Sequence, residues 1–184
     1  MKYMIATAAI SAAAGTVMSA AQAQDIRIKP VAEARLRYEH ADQEGLAIDK
    51  SDALTIRARA GLAATSGALS ATVIGQGNLA VVDRYYDGLN GAANRPIIAD
   101  PENVALYIAQ LQYKTKLVTL TGGRQRIALD DERFVGNVAF RNNGQTFDAM
   151  RMELTPAQGL KLDLSYAWSV RTIWGFQGKG ARQQ

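Results

Sequence analysis

Polar and apolar residues alternate one by one through stretch after stretch of this sequence. The clearest run is 160–169, where Leu160, Leu162, Leu164, Tyr166 and Trp168 interleave with Lys161, Asp163, Ser165, Ala167 and Ser169. A period of two puts these sets on opposite faces of a strand, whereas a helix would bring Leu160, Asp163 and Leu164 to one side. The pattern recurs with Ala32, Ala34, Leu36 and Tyr38 against Glu33, Arg35, Arg37 and Glu39. It recurs again with Leu54, Ile56, Ala58, Ala60 and Leu62 against Thr55, Arg57, Arg59 and Gly61. Leu69, Ala71 and Val73 alternate with Ser70, Thr72 and Ile74; Tyr107, Ala109, Leu111 and Tyr113 with Ile108, Gln110, Gln112 and Lys114; Met150, Met152 and Leu154 with Arg151 and Glu153. A further strand at 117–122 has an ambiguous phase, because Leu117, Val118 and Leu120 do not alternate cleanly. The reading is about seven half-polar strands.

Short turns follow at Thr65-Ser66-Gly67, at Lys114-Thr115-Lys116 and at 155–159, as hairpins require. Between them come longer connections. Residues 79–104, punctuated by Gly, Asn, Asp and Pro, read as a long loop on the end opposite the short turns. Residues 117–154 pass a Gly122-Gly123 break and turn dense in charge and amide from Arg124 to Gln145. That middle is too polar for core, yet Phe134, Val135, Val138, Phe140 and Phe147 are too apolar for a disordered linker. It reads as an ordered loop folded against a polar wall.

The N-terminus has Lys2, an apolar run from about Ile5 to Val17, and Ala21-Gln22-Ala23 as a small-x-small cleavage site. This is the layout of a secretory signal peptide over 1–24, with the mature chain starting near Gln24 or Asp25 outside the cytoplasm. After it, no run of about 18 apolar residues remains to form a transmembrane helix. The chain of 184 residues carries 21 Lys and Arg against 17 Asp and Glu. That mild balance argues against a nucleic-acid partner. With no cysteine and only His40, neither a disulfide framework nor a Cys or His zinc site can be built, and no cofactor is implied.

Repeated half-polar strands fit a soluble sandwich or an outer-membrane barrel. Segments near the roughly ten residues that cross a bilayer favour the membrane. So do aromatics at the ends of apolar faces (Tyr38, Tyr107, Tyr113, Tyr166, Trp168) and the leader. The expected fold is therefore all-β: an antiparallel transmembrane β-barrel, partial, with residues 25–184 as its N-terminal portion. Seven is an odd count, and the polar tail 178–184 lacks a terminal aromatic, so a truncated coding sequence is expected. An eight-stranded barrel using 171–176 as a last short strand is the alternative.

The candidate site is the set of arginines on polar faces: Arg35, Arg37, Arg57, Arg59 and Arg151, with Arg124 and Arg126 at a strand exit. Lining a lumen, they form a positive track for a polyanion, partly compensated by Glu33, Glu39, Glu153 and Asp163. A planar guanidinium grips a carboxylate through two hydrogen bonds, which suits acidic sugars. The competing reading is that the same arginines form cross-strand ion pairs that stiffen the wall. Asp130-Asp131-Glu132 has the oxygen ligands for a divalent cation but reads more readily as a solvated turn beside Arg133. Asp148 is expected to pair with a loop arginine. Gly75-Gln76-Gly77-Asn78-Leu79-Ala80 matches a loose dinucleotide pattern in the wrong context, with no helix after it. No nucleophile elbow occurs and nothing supports an enzyme.

The segments EARLRYE, IRARAGL, GQGNLAVVDRYYDGLN and IADPEN, and above all GGRQRIALDDERFVGNVAFRNNGQTFDA, resemble the alginate export family of Gram-negative outer-membrane barrels. The resemblance implies a porin-like channel passing anionic polysaccharide such as alginate, or small acidic solutes, through an arginine-rich pore. It places the chain in outer-membrane lipid after handling by the barrel-assembly machinery. Motif position singles out Arg57, Arg59, Arg124 and Arg126. Family barrels have more strands than this chain supplies. The alternatives are a soluble periplasmic β-sandwich binding acidic glycans, a small exported enzyme acting on polysaccharide, or a non-functional truncated barrel fragment.

Overall fold

The computed structural model describes residues 2–10, as backbone, and residues 26–175. Eight antiparallel strands form one sheet in sequence order: β1 Lys2–Ile10, β2 Arg27–Asp42, β3 Lys50–Ser66, β4 Leu69–Arg84, β5 Asn103–Lys114, β6 Val118–Gln125, β7 Thr146–Ala157 and β8 Leu160–Arg171. No helix occurs among the described residues. The seven strands read from the alternation are β2 to β8. The additional β1 falls within the expected leader and lies antiparallel on the edge of β2, from Ile10 opposite Ala34 to Lys2 opposite Asp42. An extended segment there pairs an edge whose N–H and C=O groups would otherwise be open. The rest of the leader, and the polar tail 178–184, lie outside the described residues.

Burial is inverted relative to a soluble domain. Leu36, Ile56, Leu62, Val73, Leu111 and Leu164 are each at least 40% exposed, while Arg37, Glu39, Thr55, Arg57, Gln76 and Asn78 are each at most 5% exposed. The alternation is therefore real, but its polar face is the covered one. A β-sandwich needs two sheets closing on their apolar faces. This sheet does the opposite, which is the arrangement of a barrel whose outer face meets lipid and whose inner face is polar.

The strands β2, β3 and β4 are 16, 17 and 16 residues long, well beyond the expected ten, and extend past the apolar band toward the long connections. Residues 79–84, expected in a loop, complete β4; the loop is 85–102. Short turns at 67–68, 115–117 and 158–159 sit at one end, and the long connections 43–49, 85–102 and 126–145 at the other. Residues 172–175 form a turn rather than the alternative last strand.

Four register irregularities occur; one lies between Leu154 and Ala157 beside the β7–β8 turn, and the other three reset the phase along the strands. Leu54 pairs with Val82 but Thr55 with Ala80, so Val81 is extra. Ile74 pairs with Ile108 but Gly75 with Leu106, which leaves Tyr107 as a bulge. Asp148 pairs with Ser169 but Ala149 with Ala167, leaving Trp168 unpaired. A bulge adds one residue and re-aims its neighbours. Tyr107 was expected among the outward aromatics; the bulge turns it to the covered face beside Ile108, where it is 7% exposed. Tyr113, Tyr166 and Trp168 stay outward and exposed, the last two with ring centroids 6.5 Å apart. Gly123 bends β6 with a φ of +106°, and a Cβ there would lie 2.3 Å from the Ala109 carbonyl oxygen. Only glycine fits that approach.

Candidate functional site

The inner faces of β2 and β3 present charge in register. Arg35 stands opposite Arg57, and Glu33 opposite Arg59. Arg35 and Arg57, side by side, are like charges: Arg57 takes Glu33 from β2 itself, and the long connections supply the partners of Arg35 and Arg37. The 126–145 loop starts on β6, β7 and β8, where Leu129 and Val135 pack on Ile127, Phe147 and Ala149 beside Val170. It then crosses to the opposite wall, where Arg35 donates to the carbonyls of Ala139 (3.1 Å) and Phe140 (2.9 Å). The ordered loop against a polar wall is what the residues build.

Its tip is Arg141-Asn142-Asn143. The Asn142 side chain donates to Thr55 Oγ1 (2.6 Å) and its backbone N–H to Asp100 Oδ1 (2.8 Å). The Asn143 side chain donates to the Pro101 carbonyl (2.7 Å) and accepts from Gln76 Nε2 (3.0 Å). Arg141 pairs with Glu39 (3.2 Å). Asn142 and Asn143, expected to be too polar for an interior, are 0% and 2% exposed. Asn143 meets partners with both atoms of its amide, while Asn142 is held through its amide nitrogen and backbone N–H, its Oδ1 having no partner among the described residues.

Asp100, on the 85–102 loop, is the hub. Its Oδ2 accepts from Arg37 (2.6 Å), and its backbone oxygen from the Tyr85 hydroxyl (2.9 Å). Burial pushes the Asp100 carboxyl above the ordinary aspartate range against the pull of Arg37, the Asn142 N–H and Arg141. Burial and the neighbouring Asp100 likewise push the Tyr85 phenol well up. Arg37 also holds Glu39, and Arg57 holds Glu33. Beneath the loop tip, Arg37, Arg57 and Arg141 thus face Glu39, Asp100 and Glu33, while Arg35 is satisfied by loop carbonyls instead of a carboxylate.

Toward the short turns the covering ends at a cavity of about 450 Å³ lined by Glu33, Arg59, Gln110, Arg126, Asn137 and Arg151 among others. Glu33 is its only carboxylate among the described residues. Arg59 shares Glu33 with Arg57, at 3.4 Å, and lies over the Tyr107 ring at 3.7 Å from its centroid. Arg126 is exposed, with no ion pair among the described residues. Arg151 is held by Asp163 and Glu153.

Arg124 is placed differently from the reading. The alternation that turns Leu120 and Met150 outward puts Arg124 and Asp148 on that same outward face. They are directly opposed, with Nε–Oδ1 at 2.7 Å and Nη2–Oδ2 at 2.9 Å. Asp148 therefore pairs with a strand arginine rather than a loop one. Arg124 also donates to the Leu106 carbonyl (3.1 Å), beside the β5 bulge. Asp131 pairs with Arg133, Glu132 accepts from the Asn137 N–H, and no group of three potential ligands among the described residues is arranged to hold a metal. Residues 75–80 are strand, not a phosphate-binding turn.

Sequence reasoning missed Asp100, Gln76, Tyr107 and the Arg141-Asn142-Asn143 tip as parts of one assembly. The signal available was the run of amides and charge between Phe140 and Phe147. Residues 26–171 match the family model for alginate export. The chain belongs to the alginate export family. It is a transport family of Gram-negative outer-membrane porins, not an enzyme family, and its association is with export of polysaccharide. No curated protein and no solved structure matches the chain. Within the alginate export family's fold, β2 to β8 form a partial barrel whose outer face is apolar and whose covered face carries Arg35, Arg37, Arg57, Arg59 and Arg151.

Proposed function

We propose that this protein passes anionic solutes, an acidic polysaccharide such as alginate or small acidic molecules, along a lumen whose selecting charges are Arg35, Arg59 and Arg126. The single observation that carries the reading is the cavity bordered by Arg59, Arg126 and Arg151 with Glu33 as its only carboxylate among the described residues. A carboxylated sugar supplies the missing negative charge in the planar form a guanidinium accepts. Arg35 supports the same role, since it spends its donors on carbonyls and has no carboxylate partner among the described residues. The other four candidates, Arg37, Arg57, Arg124 and Arg151, are held by carboxylates and serve the wall. The outward apolar face meets outer-membrane lipid, and residues 1–24 act as a leader. Cleavage after Ala23 removes β1 and leaves the β2 edge to another strand. N-terminal sequencing of protein from the outer membrane should start at Gln24 or Asp25.

The test is the reversal potential in planar bilayers under a KCl gradient. Arg59→Gln and Arg126→Gln should each lower the chloride-over-potassium permeability ratio about threefold, the effect of one charge near contact in a wet lumen. Arg57→Gln should change it much less. An unchanged ratio in both Arg59→Gln and Arg126→Gln would reject the lumen arginines as the filter.

A further inference from the structure

We propose that Gln76 and Tyr107 are positioning residues that hold the Arg59 guanidinium toward the cavity, with Asn143 of the long loop acting through Gln76. The inference rests on the reading of Arg59 as a selecting charge and names what aims it.

An unrestrained arginine samples many rotamers, so a charge that must meet a passing carboxylate at one place needs bracing. Arg59 is braced on two sides. Its Nε donates to Gln76 Oε1 at 2.7 Å, and its planar head lies on the Tyr107 ring at 3.7 Å. Glu33 takes Nη1 at 3.4 Å, and Nη2 makes no hydrogen bond among the described residues. The free edge belongs to a residue that lines the cavity.

The orientation of Gln76 is dictated from both ends of a chain of four groups. Arg59 only donates, and the Pro101 carbonyl only accepts. Between them, Gln76 accepts from Arg59 and donates to Asn143 Oδ1, and Asn143 donates to Pro101. Flipping either amide would set donor against donor or acceptor against acceptor. Gln76 is 4% exposed and Asn143 2%, so water does not substitute.

Tyr107 reaches Arg59 only because the β5 bulge turns it inward. Gly144, the residue after Asn143, closes over the pair. A Cβ at that position would lie 3.1 Å from the Tyr107 hydroxyl and 3.5 Å from Arg59 Nη2. The direction of one pore charge is thereby set by residues of β4, β5 and the loop together.

The experiment uses the full-length protein from the outer membrane, in planar bilayers under a KCl gradient. The variants are Arg59→Gln, Gln76→Leu, Tyr107→Leu and the double variant Arg59→Gln with Gln76→Leu. The inference expects Gln76→Leu and Tyr107→Leu each to lower the chloride-over-potassium permeability ratio about twofold. That is part of the roughly threefold loss from removing the charge itself. Gln76→Leu should add nothing once Arg59 is Gln, because it acts through that arginine. If Arg59→Gln leaves the ratio unchanged, the reading of Arg59 fails. If Arg59→Gln lowers the ratio but Gln76→Leu and Tyr107→Leu leave it at the wild-type value, the positioning role is overturned. An additive double variant overturns it too. Should Gln76→Leu not assemble, Tyr107→Leu and its own double variant with Arg59→Gln decide the matter alone.

Discussion

Two ends of the same polar wall handle arginine in opposite ways. Beneath the Arg141-Asn142-Asn143 tip, guanidiniums and carboxylates are matched, buried and hydrogen-bonded on several sides. A few residues along the strands, at the cavity, Arg59 shares its carboxylate with Arg57, and Arg126 has none among the described residues. Identical side chains on adjacent positions of β3, Arg57 and Arg59, fall on either side of that divide. The difference lies in what covers them. Where loop backbone and Asp100 descend onto the wall, the charges are desolvated and must be satisfied, by carboxylates for Arg37 and Arg57 and by loop carbonyls for Arg35. At the cavity Arg126 is exposed, so water screens it and its unpaired charge is tolerable, while Arg59, 9% exposed, keeps its share of Glu33. Under the proposed function, structure and selectivity should therefore be separable by substitution along one wall.

The largest break should come from the matched end. Arg37→Ala leaves Glu39 and Asp100 with Arg141 as their remaining ion-pair partner among the described residues, and loss of one partner of a buried pair costs about 3–5 kcal/mol. A marked fall in the temperature at which the folded, heat-modifiable gel band disappears is expected. A band that persists to the wild-type temperature would mean that the pair is not buried. The outward face gives the next effect. Leu62→Arg places a charge where Leu62 is 56% exposed among apolar neighbours, and in lipid this costs about 2–4 kcal/mol near the midplane. The same charge at Thr72, on the inner face and lining the cavity, should cost little. Equal urea midpoints for the two variants in lipid vesicles would contradict the assignment of faces.

Asp100→Asn should do less than Arg37→Ala. Arg37 keeps Glu39, and burial already works against the Asp100 charge. Still, the carboxylate takes Arg37 on one oxygen and the Asn142 N–H on the other, whereas an amide sets its NH2 against one of these donors, and one donor left without an acceptor costs about 1–3 kcal/mol. Faster proteolysis within 126–145, with the sheet intact, is the expected signature.

Period-two alternation made the strands legible, because each side chain of β2, β3 and β8 reports its face directly. The inner placement of Arg35, Arg37, Arg57, Arg59 and Arg151 follows from it. Positions after a bulge were not legible in that way: one extra residue at Tyr107 reverses its face without any change in composition. Arg124 escaped for a related reason. At the exit of β6, polarity alone does not separate an inward charge from an outward one neutralised by the residue opposite, Asp148. The loop escaped because its fold depends on pairs more than forty residues apart in sequence, Asp100 with Asn142 and Pro101 with Asn143. No local periodicity encodes those contacts.

The smallest effect on folding should come from the open end, and it sharpens the comparison most. Arg126→Gln removes an exposed arginine that has no ion pair among the described residues, so no buried carboxylate is stranded and the gel band should melt as in the wild type. The permeability ratio should nevertheless fall about threefold, because the charge borders the cavity. Raising KCl on both sides should erase most of that difference, since an exposed charge is screened within a Debye length of about 3 Å at 1 M salt. The paired Arg57 makes the converse expectation: Arg57→Gln alters melting and barely moves selectivity at any salt. If instead Arg126→Gln destabilises the fold while leaving selectivity intact, the division of the wall is wrong, and the cavity charge belongs to the scaffold.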